Sequence, residues 1–277
     1  MQPLKTKNIV LLANNIPGPS ACKRLLEFGA SVTKVESPKG DPLKKFFPKY
    51  YSELCKGFQV EQILLSEDSG QKKMDQLLTE ADLFITSQKR SSLVRLNLFG
   101  TEFLDKFENL KHIEITGFRP PFESWPGHDL NFQGRHGLIE GISLPTTLLS
   151  DLLASEIIVS NSLAMLLSPS DSTRFLNVPL EEGAIACEAP LRHGLTTKTG
   201  ILGGNNIWYN IYPTKSGNVA FCPMEPHLRE LFQSHFPEIE NWDEETITLL
   251  MKKKTASEWE IWAQQNHLPI STCKETL

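Results

Sequence analysis

The chain has 277 residues, a mass of 31.2 kDa, a net charge of −5 and a pI of about 5.9. With 40% hydrophobic and 22% charged residues it is globular, not disordered, and long enough to bury a core in one large or two smaller domains. The acidic balance excludes a protein built mainly to hold nucleic acid, because phosphate neutralisation needs a surplus of Lys and Arg. A local basic pocket for a phosphorylated small molecule stays open.

The elements read as follows in chain order. Residues 9–13 are a short apolar run, the mark of a buried parallel strand. Ser20 can cap a helix that ends before Gly29, and residues 31–35 form a second strand candidate. A helix over 71–79 and a strand over 82–86 follow, then a short helix over 101–107 and a strand over 112–116. Alternating strand and helix imply a parallel sheet with helices on its faces, whose ligands sit at the carboxyl ends of the strands. Residues 117–144 are rich in Gly and Pro and read as loop, with a turn of helix near Leu130. A long helix over 151–167 follows, then a linker-like turn over 169–172. Residues 206–212 and 218–221 flank a hairpin turn, and helices cover about 226–233, 244–252 and 256–265. A domain boundary is expected near residue 195, giving domains 1–195 and 196–277.

Cys22, Cys55, Cys187, Cys222 and Cys273 are scattered and form no CxxC pair, so neither a zinc site nor a disulfide framework is expected, and a reducing cytoplasm fits. The first residues lack the apolar core of a signal peptide. The most apolar long stretch, residues 148–167, contains Asp151, Ser155, Glu156, Ser160, Asn161 and Ser162, too costly in lipid for a membrane span. The first βα turn, residues 14–19, is not GxGxxG, and GxxxxGK[ST], GxSxG and HExxH are all absent. The chemistry-bearing residues each have a plain reading. His128 in a loop is a surface or hydrogen-bonding side chain, and Asp151 at a helix start is a cap. Glu225 before Pro226 is a charge on a first helical turn, and Lys89 with Arg90 is a solvated pair.

A resemblance changes that reading. Pro17, Gly18 and Pro19, the helix after them, and the segment from Phe28 to Pro42 with Lys34, Val35, Glu36, Gly40 and Asp41 look like the opening of the family III CoA-transferases, which include the α-methylacyl-CoA racemases. Residues 81–85 with Arg95, and residues 115–118, resemble the next landmarks. Gly127-His128-Asp129 resembles the Gly-His-Asp motif of the racemase branch. Asp151 falls where the family carries its catalytic aspartate, and Glu225 where racemases carry a glutamate. The resemblance implies a Rossmann-like large domain with a parallel sheet and a second, smaller α/β domain that completes the cleft. It implies a homodimer acting on acyl-CoA, with coenzyme A thioester as substrate and no permanent cofactor or metal.

Racemisation needs two groups flanking one carbon, each able to take and return a proton. By resemblance these are His128 and Asp151, with Glu225 hydrogen-bonding the imidazole, and backbone N–H groups at the start of the Asp151 helix receiving the enolate oxygen. In the transferase branch the aspartate instead attacks the thioester and forms an anhydride, which needs Asp151 but not His128. The racemase is the expected activity. CoA transfer and non-catalytic acyl-CoA binding are the alternatives. Ile16, Pro17, Gly18, Lys56, Lys89, Arg90 and Arg95 are the expected CoA-binding residues. The sequence also departs from the family. Ser37 stands where members commonly carry a nucleotide-contacting arginine, Lys89-Arg90-Ser91 replaces Arg-Pro-Gly, and Phe132 stands where a tyrosine often follows the motif. The Gly-Lys-Gly or Gly-Arg-Gly segment is missing around residues 170–175, and the sequence ends where relatives continue for several dozen residues.

Overall fold

The structure, a computed structural model, describes residues 2–168 and 173–274. The turn expected over residues 169–172 lies outside the described residues. The chain divides into two compact units, Met1–Glu188 and Ala189–Leu277. The division falls inside a helix, somewhat before the boundary expected near residue 195.

The first unit contains, in order, β1 (Asn8–Leu12), α1 (Pro17–Glu27), β2 (Ser31–Glu36), α2 (Pro42–Phe46), α3 (Pro48–Leu54), β3 (Gln59–Gln62), α4 (Asp68–Thr79), β4 (Leu83–Thr86), α5 (Arg90–Arg95), α6 (Thr101–Leu104), β5 (Lys111–Thr116), α7 (Asp129–Arg135), α8 (Leu149–Leu167), β6 (Phe175–Pro179) and the start of α9 (Glu181–Arg192). The six strands are all parallel, in the order β3-β2-β1-β4-β5-β6.

The pleat explains the apolar runs. Ile9, Leu11 and Ala13 point to one face, where Leu25 of α1 and Ile158 of α8 cover them. Val10 and Leu12 point to the other, against Met74 and Leu78 of α4 and Phe103 of α6. A strand covered on both faces has no solvent side, so its sequence is continuously apolar. The edge strands were not expected from the sequence. β3 is mostly exposed and polar, and β6 contains Asn177 and Pro179, residues an edge position tolerates.

The order of the strands reverses at β1, which pairs with β2 on one side and β4 on the other. Sheets of this kind bind ligands in the crevice at the carboxyl ends beside such a reversal. That places the loops after β1 and β4 at the candidate site. α8 runs against the strands. Its start is held near the end of β6, where Ser150 Oγ donates to the Leu180 carbonyl. Its far end receives Lys111 Nζ, from the beginning of β5, on the carbonyls of Met165 and Ser168. By length and composition α8 could cross a membrane, but its Ala154, Ile158, Val159 and Met165 are buried in the first unit.

The second unit holds β7 (Asn210–Pro213), β8 (Asn218–Phe221), α10 (Pro226–Ser234), α11 (Glu244–Met251), α12 (Ala256–Gln265) and β9 (Ile270–Cys273). Its sheet is antiparallel, in the order β7-β8-β9. The expected hairpin is present, and Gly217 takes the left-handed conformation (φ 80°) that its turn requires. The core gathers Trp208, Tyr212, Phe221, Phe232 and Trp259. A capping box, Thr255 with Glu258, starts α12. A parallel α/β unit followed by a smaller mixed unit is the fold class the sequence implied.

Candidate active site

Three helix starts converge at the carboxyl edge of the first unit. α1 begins with Pro17, whose fixed φ suits a first helical position. Gly18 follows because a side chain there would press on β1, with its Cβ 2.7 Å from that of Ala13. The Ser155 hydroxyl on α8 lies 3.1 Å from the Pro17 carbonyl and 2.7 Å from the Asp151 carbonyl. It therefore fastens the start of α1 to the turn that carries Asp151. α7 begins directly after His128, which is extended and whose backbone N–H donates to Asn131 Oδ1 at 3.0 Å. Asp129, the next residue, accepts the Asp151 N–H on its Oδ1 at 3.0 Å. His128 and Asp151 thus lie at neighbouring helix starts.

Asp151 is the electrostatic anomaly of the site. Its Oδ1 is buried without a hydrogen-bond partner. Burial first, and the Asp129 carboxyl second, push its pKa up from 3.8 to about 7. The position in the first turn of α8 favours negative charge, yet desolvation outweighs it. A carboxyl poised near neutrality can take and return a proton, and it can act as a nucleophile when ionised. The Asp151 N–H, one of those expected to receive an enolate oxygen, is occupied by Asp129 instead.

Two further residues shape this corner, and the sequence reading did not single them out. A Cβ on Gly183 of α9 would collide with the Ser150 carbonyl, so only glycine lets α9 approach α8 at this depth. The Ser150 hydroxyl, besides its bond to Leu180, accepts the Ala184 N–H at 3.1 Å. The signal was present in Ser150 preceding Asp151, but the partner is 34 positions away.

The expected CoA-binding residues divide. Ile16 caps α1 beside β1, and Lys89 sits at the cap position of α5 after β4, so both border the crevice. Lys89 is exposed and forms no ion pair among the described residues. Arg90 is committed elsewhere. Its guanidinium grips the buried Glu114 of β5 through Nε at 3.0 Å and Nη2 at 2.6 Å, and lies 5.1 Å from the Phe99 ring centre. A buried carboxylate needs such a counter-ion, so the fork expected to hold phosphate is already filled. Arg95 ends α5 and is exposed. Lys56 is exposed and lies just before β3, toward the amino ends of the strands, because the chain descends through α2 and α3 first. Glu225 belongs to the second unit, where it is an exposed cap residue of α10.

The loop after β1 rests on a buried charge cluster. Lys34 Nζ donates to Glu36 and, at 2.8 Å, to Asp41 Oδ2, while Tyr51 OH donates to Glu36 Oε1 at 2.6 Å. Asp41 also accepts the backbone N–H of Asn15, at 3.2 Å, and that of Leu43. All three charged side chains are at most 2% exposed.

A six-stranded parallel sheet reversing at β1, with the unpartnered Asp151 Oδ1 near its carboxyl edge, defines an α/β protein of Rossmann-like architecture. The sequence model of CoA-transferase family III matches residues 4–276, and the chain belongs to that family. It is 29% identical over 146 residues to cinnamoyl-CoA:phenyllactate CoA-transferase of Clostridium sporogenes, a match covering 48% of this chain and 35% of that protein. It is 26% identical to (R)-2-hydroxy-4-methylpentanoate CoA-transferase of Clostridioides difficile, over 46% of this chain and 35% of that protein. The chain thus spans little more than a third of the length of these curated relatives. Among solved structures, the hypothetical protein Rv3272 of Mycobacterium tuberculosis superposes with a TM-score of 0.83 at 20% identity, covering 99% of this chain and 86% of that one. A CAIB/BAIF family protein of Brucella suis gives 0.81 at 19%, covering 99% and 84%. At these identities the likeness is one of fold.

Proposed function

We propose that the protein transfers CoA between carboxylic acids through Asp151. The observation that carries this reading is the buried Asp151 carboxyl, whose Oδ1 has no partner and whose pKa is pushed up to about 7. The related proteins of known name are CoA-transferases, which supports the same reading. In the proposed cycle the Asp151 carboxylate attacks the thioester carbonyl, the C–S bond breaks, and CoA leaves as thiolate from an acyl–aspartyl anhydride. The thiolate then attacks the aspartyl carbonyl, releasing the first acid as carboxylate and leaving an aspartyl-CoA thioester. The incoming carboxylate reverses both steps and regenerates Asp151. Ile16 would border the bound CoA, and Lys89 and Arg95 would meet its phosphates.

A second reading, acyl-CoA racemisation, is favoured by His128 at the helix start next to Asp151. There the two residues would exchange the α-proton between opposite faces. One experiment separates the readings. The protein is incubated with an acyl-CoA and an acceptor acid in heavy water, with hydroxylamine added to trap activated carboxyls. CoA transfer predicts label on Asp151, transfer to the acceptor, no deuterium at the α-carbon and tolerance of His128→Ala. Racemisation predicts deuterium incorporation that needs both His128 and Asp151. Thioester binding without either reaction would mark a non-catalytic relative.

A homodimer in a reducing cytoplasm is part of the same proposal. Light scattering is expected to give twice the chain mass, and a mass near 31.2 kDa across a wide concentration range would contradict it.

A further inference from the structure

We propose that Asp129 is a positioning residue that pins the turn carrying Asp151 and keeps a second negative charge against its carboxyl. The inference rests on the reading of Asp151 as the reacting group. Asp129 is only 4% exposed, and both of its oxygens are used. Oδ1 accepts the Asp151 N–H at 3.0 Å, and Oδ2 accepts Gln133 Nε2 at 2.5 Å. Gln133, equally buried, also donates to the Thr147 carbonyl at 3.1 Å, just before α8. One side-chain amide therefore ties the carboxylate to the entry of the catalytic helix.

No cation offsets this pair of carboxyls among the described residues. On α7, Arg135 pairs with Glu181, and His136 lies between Glu181 and Glu188. His128 is exposed. On α1, Arg24 pairs with Glu27 and with Glu156 of α8, and Lys23 with Glu53. On β5, Glu114 is taken by Arg90, and Lys111 serves carbonyls at the other end of α8. On α9, Glu182 is held by Arg119. β6 carries no charged residue. Two neighbouring carboxyls without a counter-ion resist ionising together, so one of them retains its proton to higher pH. Asp151, which lacks partners at Oδ1, is the one that shifts, while Asp129 keeps its two N–H donors. Asp129 thereby adds to burial in raising the pH at which Asp151 becomes a nucleophile or base, and Gln133 keeps Asp129 from swinging away.

The test reads Asp151 directly. In the full chain carrying 13C-labelled aspartate, the Asp151 carboxyl carbon is titrated by NMR in the unmodified protein and in Asp129→Asn. Asparagine keeps an acceptor for the Asp151 N–H, removes the charge, and puts an amide N–H toward Gln133 in place of Oδ2. The Asp151 midpoint is expected to fall by about one pH unit or more in the variant. The acid limb of kcat/KM for the transfer reaction should fall with it. An unmoved midpoint in folded Asp129→Asn overturns the proposal. Should that variant fail to fold, the unmodified protein decides: the Asp129 carbon must report the Asp151 transition, and a flat Asp129 signal through that transition overturns the proposal equally. Because the titration needs no turnover, its outcome is separate from whether Asp151 performs CoA transfer.

Discussion

Lys34→Met is expected to destabilise the first unit by about 3–5 kcal/mol, the usual cost of removing one partner from a buried ion pair. Lys34 is fully buried and is the only cation bonded to Glu36 and Asp41 among the described residues. Its loss would leave two buried carboxylates uncompensated, one of which already has an unpartnered oxygen, Glu36 Oε2. Urea denaturation of the full chain measures the effect as a fall in midpoint. Because Asp41 also holds the Asn15 N–H, the loop that leads into Pro17 should loosen and CoA binding should weaken in the same variant. The cluster also carries a pH dependence. Burial alone would raise Glu36, but the bonds from Lys34 and Tyr51 outweigh it and hold it below its ordinary value. Its contribution is therefore complete above the ordinary carboxylate range and is lost as pH falls through the lowered native value. A midpoint unchanged by Lys34→Met would show that the cluster contributes nothing net to stability.

Asp151→Asn is expected to abolish transfer and, at the same time, to stabilise the protein at pH 8. The native carboxyl holds its proton up to about 7, whereas the unfolded one releases it near 3.8. Between those values the native state binds more protons, so stability falls as pH rises. The full cost, reached above pH 7, is at most about 4 kcal/mol for a shift of this size. Asparagine carries no charge and escapes it. Thermal unfolding should thus place the variant above the unmodified protein at pH 8, with the gap closing toward pH 4. Activity should fall by at least 10²–10⁴-fold, the usual worth of a positioned catalytic group. A gap between the two proteins that is the same at pH 8 and pH 4 would deny Asp151 its raised pKa. Full activity would leave it a helix-start residue only.

The sequence by itself determined the parallel core of this protein. The runs in β1 and β4 are almost wholly apolar because both sheet faces are covered, and composition carries that directly, whereas β5 also buries Lys111, His112 and Glu114. The sequence also placed the start of α12 at residue 256, whereas α1 starts at Pro17 and not after Ser20 as expected, because the fixed φ of Pro17 suits a first helical position. The family could be read from short motifs in order along the chain. The tertiary structure alone decided the rest. β3 and β6 are strands because a neighbouring edge offers them hydrogen bonds, not because their own residues prefer that state. Arg90 is withdrawn from phosphate duty by a glutamate 24 positions later that the sheet buries beneath it. Asp151 looks like an ordinary capping residue until folding removes its water and sets Asp129 beside it. Its pKa follows from solvation and charge at close range, and those are properties of the assembled site that no spacing in the chain contains.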